Sequence, residues 1–80
     1  MEDRLVEFKD IIVNKLRTEK SMTFAEITEY MTGFGFSEWE TATSLPTLCK
    51  AGFLQKVTRT IKKKKFFVTT EERETRYYLK

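Results

Sequence analysis

The chain of 80 residues has no histidine, one cysteine, one proline and three glycines. Without imidazoles and with a single thiol, the usual zinc constellations cannot be assembled. Cys49 likewise has no histidine to activate it as a nucleophile. One cysteine cannot staple a fold by itself; beside Leu48 on the inner side of a helix it reads as a small buried apolar residue, with an intermolecular disulfide as the sharper alternative. No apolar run approaches the roughly 20 residues of a bilayer span, and the N-terminus lacks signal-peptide form, so a cytoplasmic protein with no membrane partner is expected. Pro-, Ser- or Gly-rich linkers and internal repeats are also missing. Paired carboxylates occur at Glu38 and Glu40 and at Glu71 and Glu72, but a helix start and a turn explain them better than acid–base chemistry does. Neither enzymatic activity nor a cofactor is expected.

What is present is a core-forming complement of seven Phe, three Tyr and one Trp in a chain that is 40% hydrophobic. That predicts one folded domain over residues 1–80, though a chain this short buries only about 60% of its extended surface, and a partner subunit would help it. The net charge of +3 is unevenly spread. Residues 1–36 hold five Lys/Arg and seven Asp/Glu, net −2, and residues 37–80 hold ten and five, net +5. The basic end is the candidate for a polyanion surface.

Residues 3–19 have a helical stripe at Leu5, Phe8, Ile12 and Leu16. Val6, Ile11 and Val13 widen it, which predicts either a deeply sunk helix or a homodimer packed through it. A short strand or extended entry at 21–23 precedes Thr23-Phe-Ala-Glu26, a capping box with Met22 and Ile27 as hydrophobic staple, and so a helix from Phe24 to about Thr32, ended by Gly33. Phe34 and Phe36 are expected under the following turn. Ser37 and Glu40 form a second capping box for a helix whose inner face is Thr41, Leu45 and Leu48 and whose stop is a left-handed Gly52. Pro46 in its interior costs about 3 kcal/mol unless the helix kinks or restarts at Ser44, and the phase of Thr41, Leu45 and Leu48 favours the kink. From Phe53 onward β-branched and aromatic residues predict strands, with a turn at Lys62–Lys65, at Thr70–Arg73, or at both.

The spacing Leu45-x-x-Leu48-x-x-x-Gly52-Phe53-Leu54 resembles the recognition helix of winged helix-turn-helix proteins with its turn into the first wing strand. Arg76-Tyr-Tyr-Leu79 is similar to the closing strand of their sheet, although the connection 33–36 is about three residues longer than the tightest turn of that family. The resemblance implies an α+β fold of three helices followed by a β-hairpin wing: 1–20 a first helix and dimer element, 22–52 the helix-turn-helix, 53–80 the wing. It further implies double-stranded DNA binding as a transcriptional regulator, with the third helix in the major groove and the wing on the backbone. On that helix Trp39, Ala42, Thr43 and Thr47 face outward, with Ser37 and Lys50 near its ends. On the wing Lys62, Lys63, Lys64 and Lys65, flanked by Arg59, Arg73 and Arg76, would meet phosphates.

Blander readings stand beside these. The lysine run could simply blunt an edge strand, and Trp39 could cover the core beside Phe36 rather than contact a partner. A protein-interaction winged helix is the alternative from another class, favoured by the acidic start of the third helix and the lack of Arg, Asn or Gln for bidentate base contacts. Single-strand or RNA binding would require exposed Phe66, Phe67, Tyr77 and Tyr78 as stacking platforms.

Overall fold

The structure, a computed structural model, describes residues 3–80 apart from the Lys65 side chain, so that candidate contact lies outside the described residues. It is an α+β fold of three helices and a three-stranded antiparallel sheet. In chain order these are α1 (Asp3–Glu19), β1 (Ser21–Thr23), α2 (Phe24–Thr32), α3 (Glu38–Ala51), β2 (Leu54–Lys65) and β3 (Val68–Leu79). The sheet order is β1-β3-β2. No helix among the described residues is long and apolar enough to cross a membrane.

Both capping boxes form. Thr23 Oγ1 accepts from the Glu26 amide at 3.2 Å and the Thr23 amide donates to Glu26 Oε1 at 3.0 Å. Ser37 and Glu40 repeat this at 3.1 and 3.3 Å. The core is Phe8, Ile12 and Leu16 of α1, Met22, Ile27, Met31, Phe36, Leu45, Leu48, Leu54 and Tyr77. Thr41 is buried among them, its hydroxyl satisfied by the Ser37 carbonyl at 3.1 Å. α3 runs unbroken through Pro46, so there is no restart at Ser44. Pro46 and Ala42, whose carbonyl loses its N–H partner, both lie on the exposed side, where water can satisfy that oxygen.

Two helix ends use one device. Gly52 has φ 89°, its amide donates to the Cys49 carbonyl at 3.2 Å, and the Phe53 amide reaches the Leu48 carbonyl at 3.0 Å. Gly35 has φ 88°, with the same pair of bonds from Gly35 to Thr32 and from Phe36 to Met31 at 3.0 and 3.1 Å. Each is a Schellman motif, which satisfies carbonyls the helix leaves open. Gly33 caps α2 directly after Thr32, as expected, with a helical φ of −62°; the left-handed residue that turns the chain lies two positions later, at Gly35. Only Phe36 packs under the turn. Phe34 is 52% exposed and meets Tyr30 edge-on at 5.2 Å.

The hairpin corrects the expected turn. β2 and β3 pair without interruption from Leu54↔Leu79 to Lys65↔Val68, so the connection is Phe66-Phe67 alone, and neither Lys62–Lys65 nor Thr70–Arg73 is a turn. Only the base of this ribbon touches the body, through Leu54, Tyr77 and Leu79 in the core and through Arg76 at the surface. Beyond it the strands are solvated, and the molecule measures 51 × 24 × 22 Å. Its radius of gyration of 14.5 Å exceeds the about 12 Å of a compact chain of this length.

Gly52→Ala should cost about 1 kcal/mol, because a Cβ is strained at that φ whatever the space around it. Chemical denaturation reads it; an unchanged midpoint would remove the left-handed stop from the account.

Candidate nucleic-acid interface

The outward side of α3 carries the residues expected there. Trp39, Ala42, Thr43, Thr47 and Lys50 are exposed, and Ser37 is exposed at the N-terminus. Trp39 is 73% exposed and does not cover the core beside Phe36. Phe36 is covered instead by Arg4, whose guanidinium lies 4.6 Å from the ring centroid. Between the start of α1 and α3 runs a groove of about 460 Å³, lined by Arg4, Leu5, Trp39, Glu40, Thr43, Ser44 and Thr47. The threonine hydroxyls in it are committed inward: Thr43 donates to the Trp39 carbonyl at 3.0 Å, and Thr47 to the Thr43 carbonyl at 3.0 Å. Their methyl groups and oxygen lone pairs remain for a partner.

Arg4 is the residue that sequence reasoning missed. Its Nε meets Glu40 Oε2 at 2.6 Å, and its Nη2 meets Glu40 Oε1 at 3.0 Å and the Gly35 carbonyl at 3.2 Å. The forked pair lowers the Glu40 pKa, helped by the Ser37 amide. A carboxylate at the head of α3 that would repel phosphate is thereby neutralised. Nothing in the spacing announces this pair, which spans 36 positions in the chain.

On the ribbon, register decides what stands together. Residues directly opposite each other share a face, so Thr58, Thr60, Lys62 and Lys64 lie with Thr75, Arg73, Glu71 and Thr69, on the face whose base is Leu54, Leu79 and Tyr77. Thr58 and Thr75 confirm that pairing with a hydroxyl contact of 3.0 Å. Val57, Arg59, Ile61 and Lys63 lie on the other face with Arg76, Glu74, Glu72 and Thr70. The lysine run is therefore divided between two faces rather than raised as one ridge. Lys63 reaches Glu72 at 3.3 Å, while Arg59, Ile61, Glu74, Arg76 and Tyr78 enclose a small cleft of about 130 Å³. Arg76 is held by Glu74, by Ser21 Oγ at 3.1 Å and by Glu26 at 4.0 Å, and the Glu74 hydrogen bond raises its pKa. It joins β1, α2 and β3 and stands apart from the distal cations.

Of the four aromatic residues that single-strand stacking would need, Tyr77 is buried and Tyr78 half-buried, while Phe66 and Phe67 are exposed at the turn. Cys49 packs against the core, and burial pushes its thiol pKa up. No cluster of three or more metal-ligating side chains occurs among the described residues. Comparison with known proteins finds no matching family model, no matching curated protein and no matching solved structure.

Because the folded pKa of Glu40 lies below its unfolded value, the unfolded chain binds more protons across that interval. The stabilisation is present above the ordinary carboxylate pKa of about 4.3 and is lost as pH falls through the folded value. Arg4→Met should therefore flatten the acid limb of a plot of denaturation midpoint against pH. A limb as steep as that of the parent would show that the pair adds nothing to folding.

Proposed function

We propose that this chain is a winged-helix domain that binds double-stranded DNA as a transcriptional regulator, with α3 in the major groove and the ribbon along the phosphate backbone. The order of helices and strands and the β1-β3-β2 sheet agree with the architecture that the resemblance implies. The observation that carries the reading is the ribbon itself. It leaves the body as two solvated strands, and one face presents Lys62, Lys64 and Arg73 with a single carboxylate, Glu71, among them. A hairpin that served only to close a sheet would end near Thr58↔Thr75, where burial ends. The free length beyond carries paired, charged strands out into solvent, a form suited to track a polyanion.

Helix α3 supplies the second contact. Ala42 and the methyl groups of Thr43 and Thr47 suit thymine methyls, and Lys50 suits a phosphate. The exposed Trp39 beside Leu5 favours a second reading, in which the same groove docks a protein segment. A homodimer through α1 has less support: Ile11 packs on the core, and Val6 and Val13 are half-buried within the single chain.

Replacing Lys62 and Lys64 together with alanine should weaken binding to every duplex sequence. It should also reduce the slope of log affinity against log salt by about 1.8, since each phosphate contact contributes about 0.9. An unchanged slope would take that face out of the interface. Thr43→Ala should change the ranking of sites selected from a random duplex pool while leaving the fold intact; a uniform loss across all sites would deny it a base-facing role. Absence of duplex binding by the parent chain even at low salt would favour the protein-docking reading.

A further inference from the structure

Phe66 and Phe67 are 89% and 103% exposed, and Val68 beside them is 62% exposed. They form the end of a ribbon whose last paired position is Lys65↔Val68, so the two rings lead whatever the ribbon approaches. Phe66 has φ 58°, a left-handed conformation that two-residue hairpin turns require and that Asn or Gly adopts at lower cost. A bulky ring there costs about 1–2 kcal/mol, and in water its exposure gives nothing back. Two aromatic rings in the place of a cheap Asn-Gly turn, with no core to bury them, call for an occupant outside the chain.

The charge below the rings identifies that occupant. Lys62 and Lys64 on one face and Lys63 on the other stand within five residues of the turn, and threonines 58, 60, 69, 70 and 75 line the stalk with hydroxyls. Lys62, Lys64 and Arg73 make one face cationic along the stalk with a single carboxylate, Glu71, among them, while Lys63 on the other face is paired with Glu72; this matches a ligand whose phosphates run along the ribbon. A membrane would reward cations in one plane near the end alone, whereas Arg73 stands well back along the stalk, opposite Thr60. The solvated length, from Thr58↔Thr75 to the turn, reaches about 25 Å at ~3.3 Å per residue. That exceeds the about 17 Å of half a helical turn of duplex, so an arm anchored beside α3 extends to the neighbouring groove.

We infer that Phe66 and Phe67 are an apolar wedge, carried on a cationic arm, which enters between adjacent base pairs of the duplex, unstacks them and bends the DNA. The inference rests on the duplex-binding reading above. Insertion removes two rings from water, stacks them on base faces and brings the lysines onto the flanking phosphates, so the cost of opening one step is offset by contacts the straight duplex does not offer. Flexible pyrimidine–purine steps are the sites where opening costs least, which gives the arm a preference without a hydrogen bond to any base.

The test uses the full chain, a duplex carrying a fluorescent adenine analogue at a TA step, and the same duplex with dyes at its ends. The parent should brighten the analogue and shorten the dye separation, as a bend of about 20–90° requires. Phe66→Ser with Phe67→Ser should abolish both signals and lower duplex affinity about tenfold, with the salt slope and thermal midpoint retained because both residues are exposed. Phe66→Leu with Phe67→Leu should keep both signals, since an aliphatic wedge also parts a base step. Parent binding with the analogue dark and the duplex straight overturns the wedge and leaves the duplex reading standing. Failure of the parent to bind duplex at any salt overturns both. Binding to phosphatidylserine–phosphatidylcholine vesicles that the serine variant loses, with the analogue dark, overturns the wedge and assigns the rings to lipid.

Discussion

Everything distal on the ribbon is oriented by a hydrophobic anchor at its base. Leu54 and Tyr77 are buried, Met22 of β1 lies opposite Tyr77, and Leu79 packs against the same core. Side chains alternate along a strand with period two, so a slip of one residue would carry Leu54 and Tyr77 into water together. At about 25 cal/mol per Å² of apolar surface, such a slip is opposed by several kcal/mol. The anchor thus settles, some ten residues away, that Lys62, Lys64 and Arg73 share a face and that Lys63 turns towards Glu72. No distal contact needs to be strong for the cations to be ordered in this way.

The helical body is arranged to leave α3 exposed on one side. Its N-terminus is capped by Ser37 and tied to α1 by Arg4, its C-terminus is turned by Gly52, and its inner face is held by Thr41, Leu45 and Leu48. Those three contacts bury one stripe only, so the opposite stripe, from Trp39 to Lys50, is free by construction. Arg4 serves three neighbours at once: it pairs with Glu40, caps the Gly35 carbonyl and covers the Phe36 ring. A surface ion pair alone is worth little. One that also seals the core and closes a Schellman turn orders three segments at the entrance to the groove.

Much of this was legible in the chain. Capping boxes announce themselves locally, so the starts of α2 and α3 could be read to the residue, and the apolar period gave the face of α3 with Trp39, Ala42, Thr43 and Thr47 outward. The hairpin turn could not be read, because Phe66-Phe67 contains none of the residues that favour turns. With the turn unplaced, the division of the lysines between faces was hidden too, since it depends on register and not on composition. The end of α2 at Gly33 could be read as well, but not that the left-handed turn falls at Gly35, where Phe36 can follow into the core. Arg4 and Glu40 are brought together only by the packing of α1 on α3, and no local pattern encodes that.

On the DNA reading, the division of labour between α3 and the ribbon follows from what each lacks. The exposed face of α3 offers methyl groups, one indole and one lysine, and its threonine protons are spent on helix carbonyls. It has none of the forked donors that discriminate a base by about 1–3 kcal/mol each. The ribbon supplies positive charge, which holds a duplex without reading it. Neither part alone distinguishes one sequence from another well. Together they set two points of attachment on the duplex, separated by the length of the arm, and a duplex that bends readily between those points is bound better than one that resists. Sequence then enters through the stiffness of the steps between the attachments rather than through the edges of the bases.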